Sequence, residues 1–480
     1  MLLATISGKL PSDILVTTVF KTSLKIRGLV LIPLLTLSLG VAEYGAFVQV
    51  LAVTTLLVNL FLLGLDSGFV RYIYTVDDSR GLFSSLVLLT LGSSSVAAIG
   101  VFLGADLLAL YTLRAEEFAL LFALGALYVP IEALFRMGRG YFWARRRIKL
   151  YSAIEAIDVY LSILAVAVVI IVADGTLEAA YLAFVLTHGC VAIGLLVIVI
   201  WDGGLGRPTT DGLGECLSLS LGIMGTGLSQ SLLDKLDRLL LGFFVGASAV
   251  GVYSVAYKVA NVLYLYFRPL TISFFPEFSK LWTDGEHERI SRYSRTGIRY
   301  LLLLGLPSVA GFALIGEQLI ALISTDDVAR AGALPLVLIS GGVLAKGIGE
   351  LYTQLYFAAD ESRLPFLVQT TTLAANGVLN VLLIPEYQVL GAALATLFTF
   401  AGGAAVLIFL FRFPFAVSPG WSHVAKIGLA AAIMYATFFT LALPWIAVLA
   451  SAPIVYLLVL LGLGELGTDE LRSLLDGIRS

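Results

Sequence analysis

What this 480-residue chain has least of is charge: Asp, Glu, Lys and Arg make up 13% of it, against 59% apolar residues. A soluble globular chain carries about 25% charged and about 45–50% apolar residues, so this one cannot cover a surface that faces water. The near-neutral formal charge of −3 gives no basic footprint for a nucleic acid. Cysteine is equally scarce. Cys190 and Cys216 show no paired spacing, so neither a disulfide framework nor a thiolate metal site follows. His188, His287 and His423 are scattered without an HExxH-type cluster, and no metal or other cofactor is expected. A Gly-x4-Gly-Lys-Ser/Thr loop is missing too, which argues against ATP hydrolysis by this chain. No small-residue cleavage pattern follows the first apolar run, which therefore reads as an uncleaved membrane helix.

What the chain has in abundance is apolar length. A helix needs about 20 apolar residues to cross a bilayer, and lipid cannot satisfy the polar groups of any open backbone. Fourteen stretches meet this reading: 14–40, 44–68, 82–103, 118–136, 153–173, 179–200, 215–244, 249–274, 298–315, 333–357, 364–384, 389–411, 424–443 and 445–463. The ninth is short, and 319–324 either extends it or forms a re-entrant piece. The expected fold is an all-α polytopic membrane protein. Lys and Arg accumulate on the inner side of a membrane protein. With both termini cytoplasmic, the inner segments collect most of the 30 Lys and Arg, chiefly in 136–149 and 280–299, while the outer loops hold only Arg114 and Arg330. The last residues, with Leu471, Leu474, Leu475 and Ile478 on one helical face, read as a short surface helix.

Several cations fall where lipid should be. A cation at mid-membrane costs at least about 2.5 kcal/mol, so it normally faces a protein interior or a wet cavity. In the first stretch Lys21 and Lys25 share a helical face, while Arg27 lies about 160° from Lys25. Lys21 can snorkel to the headgroups. Arg27, about 20 Å along the helix from Ile14, cannot readily do so. The seventh stretch holds Asp234, Lys235, Asp237 and Arg238; Asp234 and Arg238 form an acid-before-base i,i+4 pair, and Lys235 is the better ligand candidate. The eighth carries Lys258 near its middle and Arg268 just before Pro269, on one helix about 15 Å apart. Arg71 ends the second stretch. The tenth pairs Lys346 with Glu350 beside Gly341, Gly342, Gly347 and Gly349, a close-packing pattern. Glu132 with Arg136, and Glu155 with Asp158, read as interfacial.

The chain also repeats. A Gly-x4-Gly motif followed by an aromatic occurs at Gly40–Gly45 with Phe47, and again at Gly246–Gly251 with Tyr253. Both precede an aromatic-rich stretch and follow a charged one, and the two large basic segments follow the fourth and eighth stretches. Transporters are often built from such repeats with the substrate site between them. The division this suggests is a six-helix lobe at 1–206, a second at 207–412, and two appended helices with a tail at 413–480.

The segments LGVAEYGAFVQVLAVTTLLVNLFLLGLDSGFVRYI (39–73) and LLDKLDRLLLGFFVGASAVGVYSVAYKV (232–259) resemble the polysaccharide-exporter branch of the multidrug/oligosaccharidyl-lipid/polysaccharide superfamily. That resemblance implies two six-helix lobes alternating between inward and outward openings. It implies a lipid-linked oligosaccharide whose phosphate or pyrophosphate enters a basic cavity, with Lys21, Lys25, Arg27, Arg71, Lys258 and Arg268 at the matching positions. Lys235 and Arg238 join them as phosphate-binding candidates on their own placement, and Asp234, Asp237, Lys346 and Glu350 are gating or structural ion pairs. The expectation is a non-enzymatic flippase in the cytoplasmic membrane, among membrane lipids, coupled to H+ or Na+ and working beside glycan-assembly enzymes. The competing reading is a cation-coupled multidrug exporter, which requires lone acidic residues in the cavity. A membrane glycosyltransferase would need a catalytic acid pair on an outer loop, and those loops are short.

Overall fold

With no water to pair with, a chain this apolar must close its backbone hydrogen bonds within helices. The computed structural model describes residues 27–417 and 420–467, and among them all regular structure is helical. Among the described residues eleven helices are long and apolar enough to cross a membrane. Side chains such as Leu103, Val172 and Trp201 stay exposed on them, the pattern of a surface that meets lipid rather than water. The protein is a multi-pass membrane protein.

The chain divides into two compact units, Met1–Ser254 and Val255–Ser480. This division follows packing, whereas the one at residues 206 and 412 follows the repeat. In the first unit, α1 (Arg27–Thr36) leads into α2 (Val41–Phe61), α3 (Leu65–Tyr72), α4 (Ser79–Leu103), α5 (Ala105–Leu113), α6 (Ala119–Ala144), α7 (Ile148–Ala167), α8 (Leu177–Trp201) and α9 (Leu213–Phe244). α6 is the central element, packed against α2, α3, α4, α5 and α8. Phe69, Phe83, Tyr141 and Phe142 close its core at one end, and Phe47, Tyr181 and Phe184 fill another part.

The second expected span is broken. Leu63 and Gly64 turn through positive φ of 56° and 70°, and a side chain at Gly64 would stand 2.4 Å from the Ser220 carbonyl of α9. α3 therefore starts afresh, carrying Asp66 and Arg71. The fourth span does not stop at Arg136. α6 runs through Pro130 to Ala144, so most of the supposed basic loop at 136–149 is helix. Gly140 and Gly138 make this possible by admitting α3 backbone and Leu195 at close range.

α10 (Ala247–Ala260) carries the chain from the first unit into the second. The single eighth span expected over 249–274 is interrupted at Asn261, whose side chain donates to the Tyr257 carbonyl. Lys258 thus ends α10, and Arg268 belongs to α11 (Val262–Thr283); they do not share one continuous helix. The second unit continues with α12 (His287–Ala321), α13 (Asp326–Ala358), α14 (Arg363–Phe409), α15 (Trp421–Leu441) and α16 (Trp445–Gly462). α13 packs against α11, α12 and α14, and α12 also packs against α15 and α16. The ninth span is long rather than marginal: α12 takes in the basic residues from Arg289 onward and, at its far end, reaches Ala321.

α14 is a hairpin. Gln388 has non-helical angles (φ 50°, ψ −124°), Gly391 lies against the Leu383 carbonyl, and Gly403 lies against Thr372. These contacts pair the arms in antiparallel register about residue 388, as the eleventh and twelfth expected spans require. The tail helix proposed beyond Gly464 falls mostly outside the described residues.

The glycine repeat has a structural meaning. A side chain at Gly45 on α2 would stand 1.9 Å from the Ala247 carbonyl, and one at Gly251 on α10 would stand 2.3 Å from the Val41 carbonyl. The motif pair is therefore a backbone-to-backbone crossing between α2 and the start of α10.

Candidate functional site

The densest charge in the first unit lies on one face of α6. Glu132, Arg136 and Arg139 follow the i, i+4, i+7 spacing that aligns side chains along a helix. α7 brings Glu155 and Asp158, α8 brings His188, α1 brings Arg27 and α3 brings Asp66. His188 is 2% exposed. Its Nδ1 lies 2.7 Å from Asp158 Oδ1, and its Nε2 lies 2.9 Å from Glu132 Oε2. The second approach is a close charge contact rather than an aligned hydrogen bond. Arg27 reaches the other Asp158 oxygen at 3.5 Å and lies over the Phe184 ring. Arg136 donates to Asn59 at 2.5 Å and faces Asp66 at 3.4 Å, and Arg139 pairs with Glu155. Tyr128, Phe135 and Phe184 enclose the imidazole.

This network corrects the expectation that Glu132, Arg136, Glu155 and Asp158 are interfacial. Asp158 and Glu155 are buried, and a buried charge persists only when it is paired. Four carboxylates (Asp66, Glu132, Glu155 and Asp158) meet three arginines (Arg27, Arg136 and Arg139). The set is neutral only when the His188 imidazole carries its proton.

On α9, Lys235 donates to Ser231 Oγ at 2.8 Å and lies within electrostatic reach of Arg238, Asp234 and Arg136. Gln230 donates weakly to Asp234, while Tyr253 donates to Asp237 at 2.6 Å. The first unit thus brings Arg27 and Lys235 into the neighbourhood of α6, with Arg238 beside Lys235. Arg71, in the last turn of α3, is exposed. Lys21 and Lys25 lie outside the described residues. In the second unit Lys258 is half-buried and Arg268 is exposed. Lys346 and Glu350 are linked through Tyr264: its hydroxyl donates to Glu350, and the Lys346 ammonium lies over the Tyr264 and Phe400 rings. Among the described residues no group of three or more His, Cys, Asp or Glu side chains is arranged to hold a metal ion.

At the end of α8, just outside the apolar segment, Asp202 accepts from Tyr141 and pairs with Arg145 and Arg147. Burial works against its charged form, but the Tyr141 hydrogen bond and the two guanidinium groups outweigh it and hold the carboxyl below its ordinary range.

Residues 34–330, more than half of the chain, match the family described as polysaccharide biosynthesis protein. The probable flippase AglR of Haloferax volcanii is 31% identical over 175 residues, which are 36% of this chain and 37% of that protein; the match thus spans little more than a third of that relative's length. Among solved structures, the inward closed conformation of the lipid II flippase MurJ superposes with a TM-score of 0.79 at 15% identity, covering 93% of this chain and 98% of that one. An inward-facing MATE-family multidrug resistance transporter of the MOP superfamily gives 0.64 at 13% identity, covering 92% and 97%. These likenesses establish the fold.

Proposed function

This chain belongs to the polysaccharide biosynthesis protein family of the multidrug/oligosaccharidyl-lipid/polysaccharide superfamily, and from that membership we propose that it flips a lipid-linked (pyro)phosphoryl oligosaccharide across the cytoplasmic membrane by alternating access. The observation that carries the reading is the set of arginines sunk within apolar helices, Arg27, Arg136 and Arg139, joined on α9 by Lys235 and Arg238. Arg grips two phosphate oxygens with a planar fork, and Lys supplies a mobile point charge. Lys21 and Lys25 on the same stretch as Arg27, and Arg71, Lys258 and Arg268, belong to the same proposed phosphate path. The division into lobes at 1–206 and 207–412, with 413–480 appended, remains the proposed duplication.

The balance of charge gives the mechanism its form. An incoming phosphate competes with Asp158 for Arg27 and with Asp66 for Arg136. Release on the other face restores these ion pairs. H+ or Na+ is the proposed coupling ion, and membrane lipids and glycan-assembly enzymes are the neighbours of the working protein.

The test is transfer of a lipid-linked oligosaccharide in proteoliposomes, scored by an impermeant lectin added outside. An Arg27→Ala, Arg136→Ala double variant should slow transfer by about tenfold or more, the loss expected from removing charge-assisted hydrogen bonds. Wild-type transfer by that variant would overturn the reading. The multidrug-exporter reading draws support from the four carboxylates of the same cluster; sodium-dependent export of an organic-cation dye with no glycan transfer would establish it instead.

A further inference from the structure

A second basic site lies in the other unit, apart from the cluster on α6. Glu288, Ser291, Arg292, Arg295, Thr296, Arg299 and His423 line an open cavity of about 510 Å³. Glu288, Arg292, Arg295 and Arg299 fall at i, i+4, i+7 and i+11, so the first half of α12 turns one face to it. The opposite wall is the start of α15, which carries His423. A buried carboxylate sets the geometry: Glu465, its side chain fully enclosed, accepts from Arg299 Nε at 2.7 Å and holds His423 Nδ1 at 2.8 Å. The Ala416 carbonyl, within the connection between α14 and α15, accepts from Ser291 at 2.5 Å and from Arg295 at 3.4 Å. That connection is anchored by Phe411, Phe413 and Phe415, which pack on one another and on Trp282 and Tyr356.

The cavity wall carries more positive charge than its carboxylates balance. Glu465 is already committed to Arg299 and His423, and Glu288 sits one turn from Arg292. Among the described residues the Arg292 guanidinium has no hydrogen bond or ion pair, and Arg295 has only the long contact to a carbonyl. An anion completes such a site. Its position says what kind. Trp421, 86% exposed, opens the apolar helix α15 two residues before His423, and exposed tryptophan at such an end marks headgroup depth. Beyond the cavity, Leu304 on α12 and Leu429 on α15 are exposed apolar side chains where acyl or isoprenoid chains would run. The volume is also larger than a lone inorganic anion requires.

We propose that this cavity binds the phosphate of a lipid headgroup, held by Arg292, Arg295, Arg299 and His423 at the membrane boundary. Basic pockets between transmembrane helices take up anionic headgroups in this way. The phosphate can come from an anionic glycerophospholipid or from an isoprenoid phosphate carrier, which share the same recognised chemistry.

The experiment is native mass spectrometry of the full chain in detergent, titrated separately with dioleoylphosphatidylglycerol, dioleoylphosphatidylcholine and undecaprenyl phosphate. Wild-type protein should retain adducts of at least one of the two anionic lipids in preference to phosphatidylcholine. An Arg292→Gln, Arg295→Gln variant keeps the Arg299–Glu465–His423 arrangement and should lose those adducts by about tenfold or more. Loss confined to undecaprenyl phosphate assigns the site to a carrier lipid, and loss of both assigns it to anionic headgroups in general. Equal retention by wild type and variant, or phosphatidylcholine binding as strong as that of the anionic lipids, overturns the proposal. Lipid retention is read without any transport step, so a failure here is distinct from a failure of the Arg27, Arg136 variant to lose glycan transfer.

Discussion

His188 is the residue on which the buried cluster turns. Remove it, and Glu132 and Asp158 face each other without the positive charge between them. Taking away one partner of a buried charged set costs about 3–5 kcal/mol, so His188→Ala should lower the thermal unfolding midpoint in detergent sharply and abolish glycan transfer. Adding Glu132→Gln to His188→Ala should recover part of the lost stability, because one uncompensated charge goes with it; no recovery would mean the two side chains do not interact. Asp202 makes a separate prediction at the water boundary. Its folded-state carboxyl is held below the ordinary range, so its contribution is present above about pH 4 and fades as the pH falls through the lower folded-state value. Asp202→Asn should therefore unfold with less dependence on pH below about pH 4 than wild type. Little of this was readable along the chain. Arg27 meets Asp158, and His188 meets Glu132 and Asp158, across sequence gaps that no local spacing reveals. The signal that was available is the rule that a titratable side chain inside an apolar span is functional until shown otherwise, and Glu132, Asp158 and His188 all qualify.

Helices were the most legible part, since apolar length alone marks where they run, including the pair that meets in the α14 hairpin. Their breaks were not legible. Nothing in the hydropathy of 44–68 announces the turn at Leu63 and Gly64, and Asn261 interrupts the 249–274 stretch without a proline or glycine. The first break depends on what packs beside it, the Ser220 carbonyl next to Gly64. Glycines separate into two kinds on the same ground. Gly45 lies so near the Ala247 carbonyl that a methyl group cannot fit, whereas Gly92 on α4 has nothing within 4 Å of the corresponding position. Gly45→Ala should destabilise the protein by about 1–3 kcal/mol or more through overpacking. Gly92→Ala should be neutral or stabilising by up to about 1 kcal/mol, the propensity difference between the two residues. Thermal unfolding of both variants in one detergent separates them; equal behaviour would refute the close crossing.

At the scale of the whole molecule, each unit carries a proposed phosphate-binding lysine. Lys235 belongs to the first and Lys258 to the second. Lys235→Ala and Lys258→Ala should each reduce glycan transfer by about tenfold while leaving membrane insertion and yield unchanged. A double variant with wild-type transfer in the proteoliposome assay would remove both lysines from the substrate path. The duplication inferred from the 40–45 and 246–251 motifs bears on the same question, because it predicts matched roles at matched positions in the two halves.

The meeting of those motifs is reciprocal: Gly45 touches the residue that corresponds to Val41, and Gly251, the counterpart of Gly45, touches Val41 itself. Two copies of a half-length ancestor would make this same handshake about a two-fold axis. The joint is one in which neither glycine can drift without its twin feeling the change.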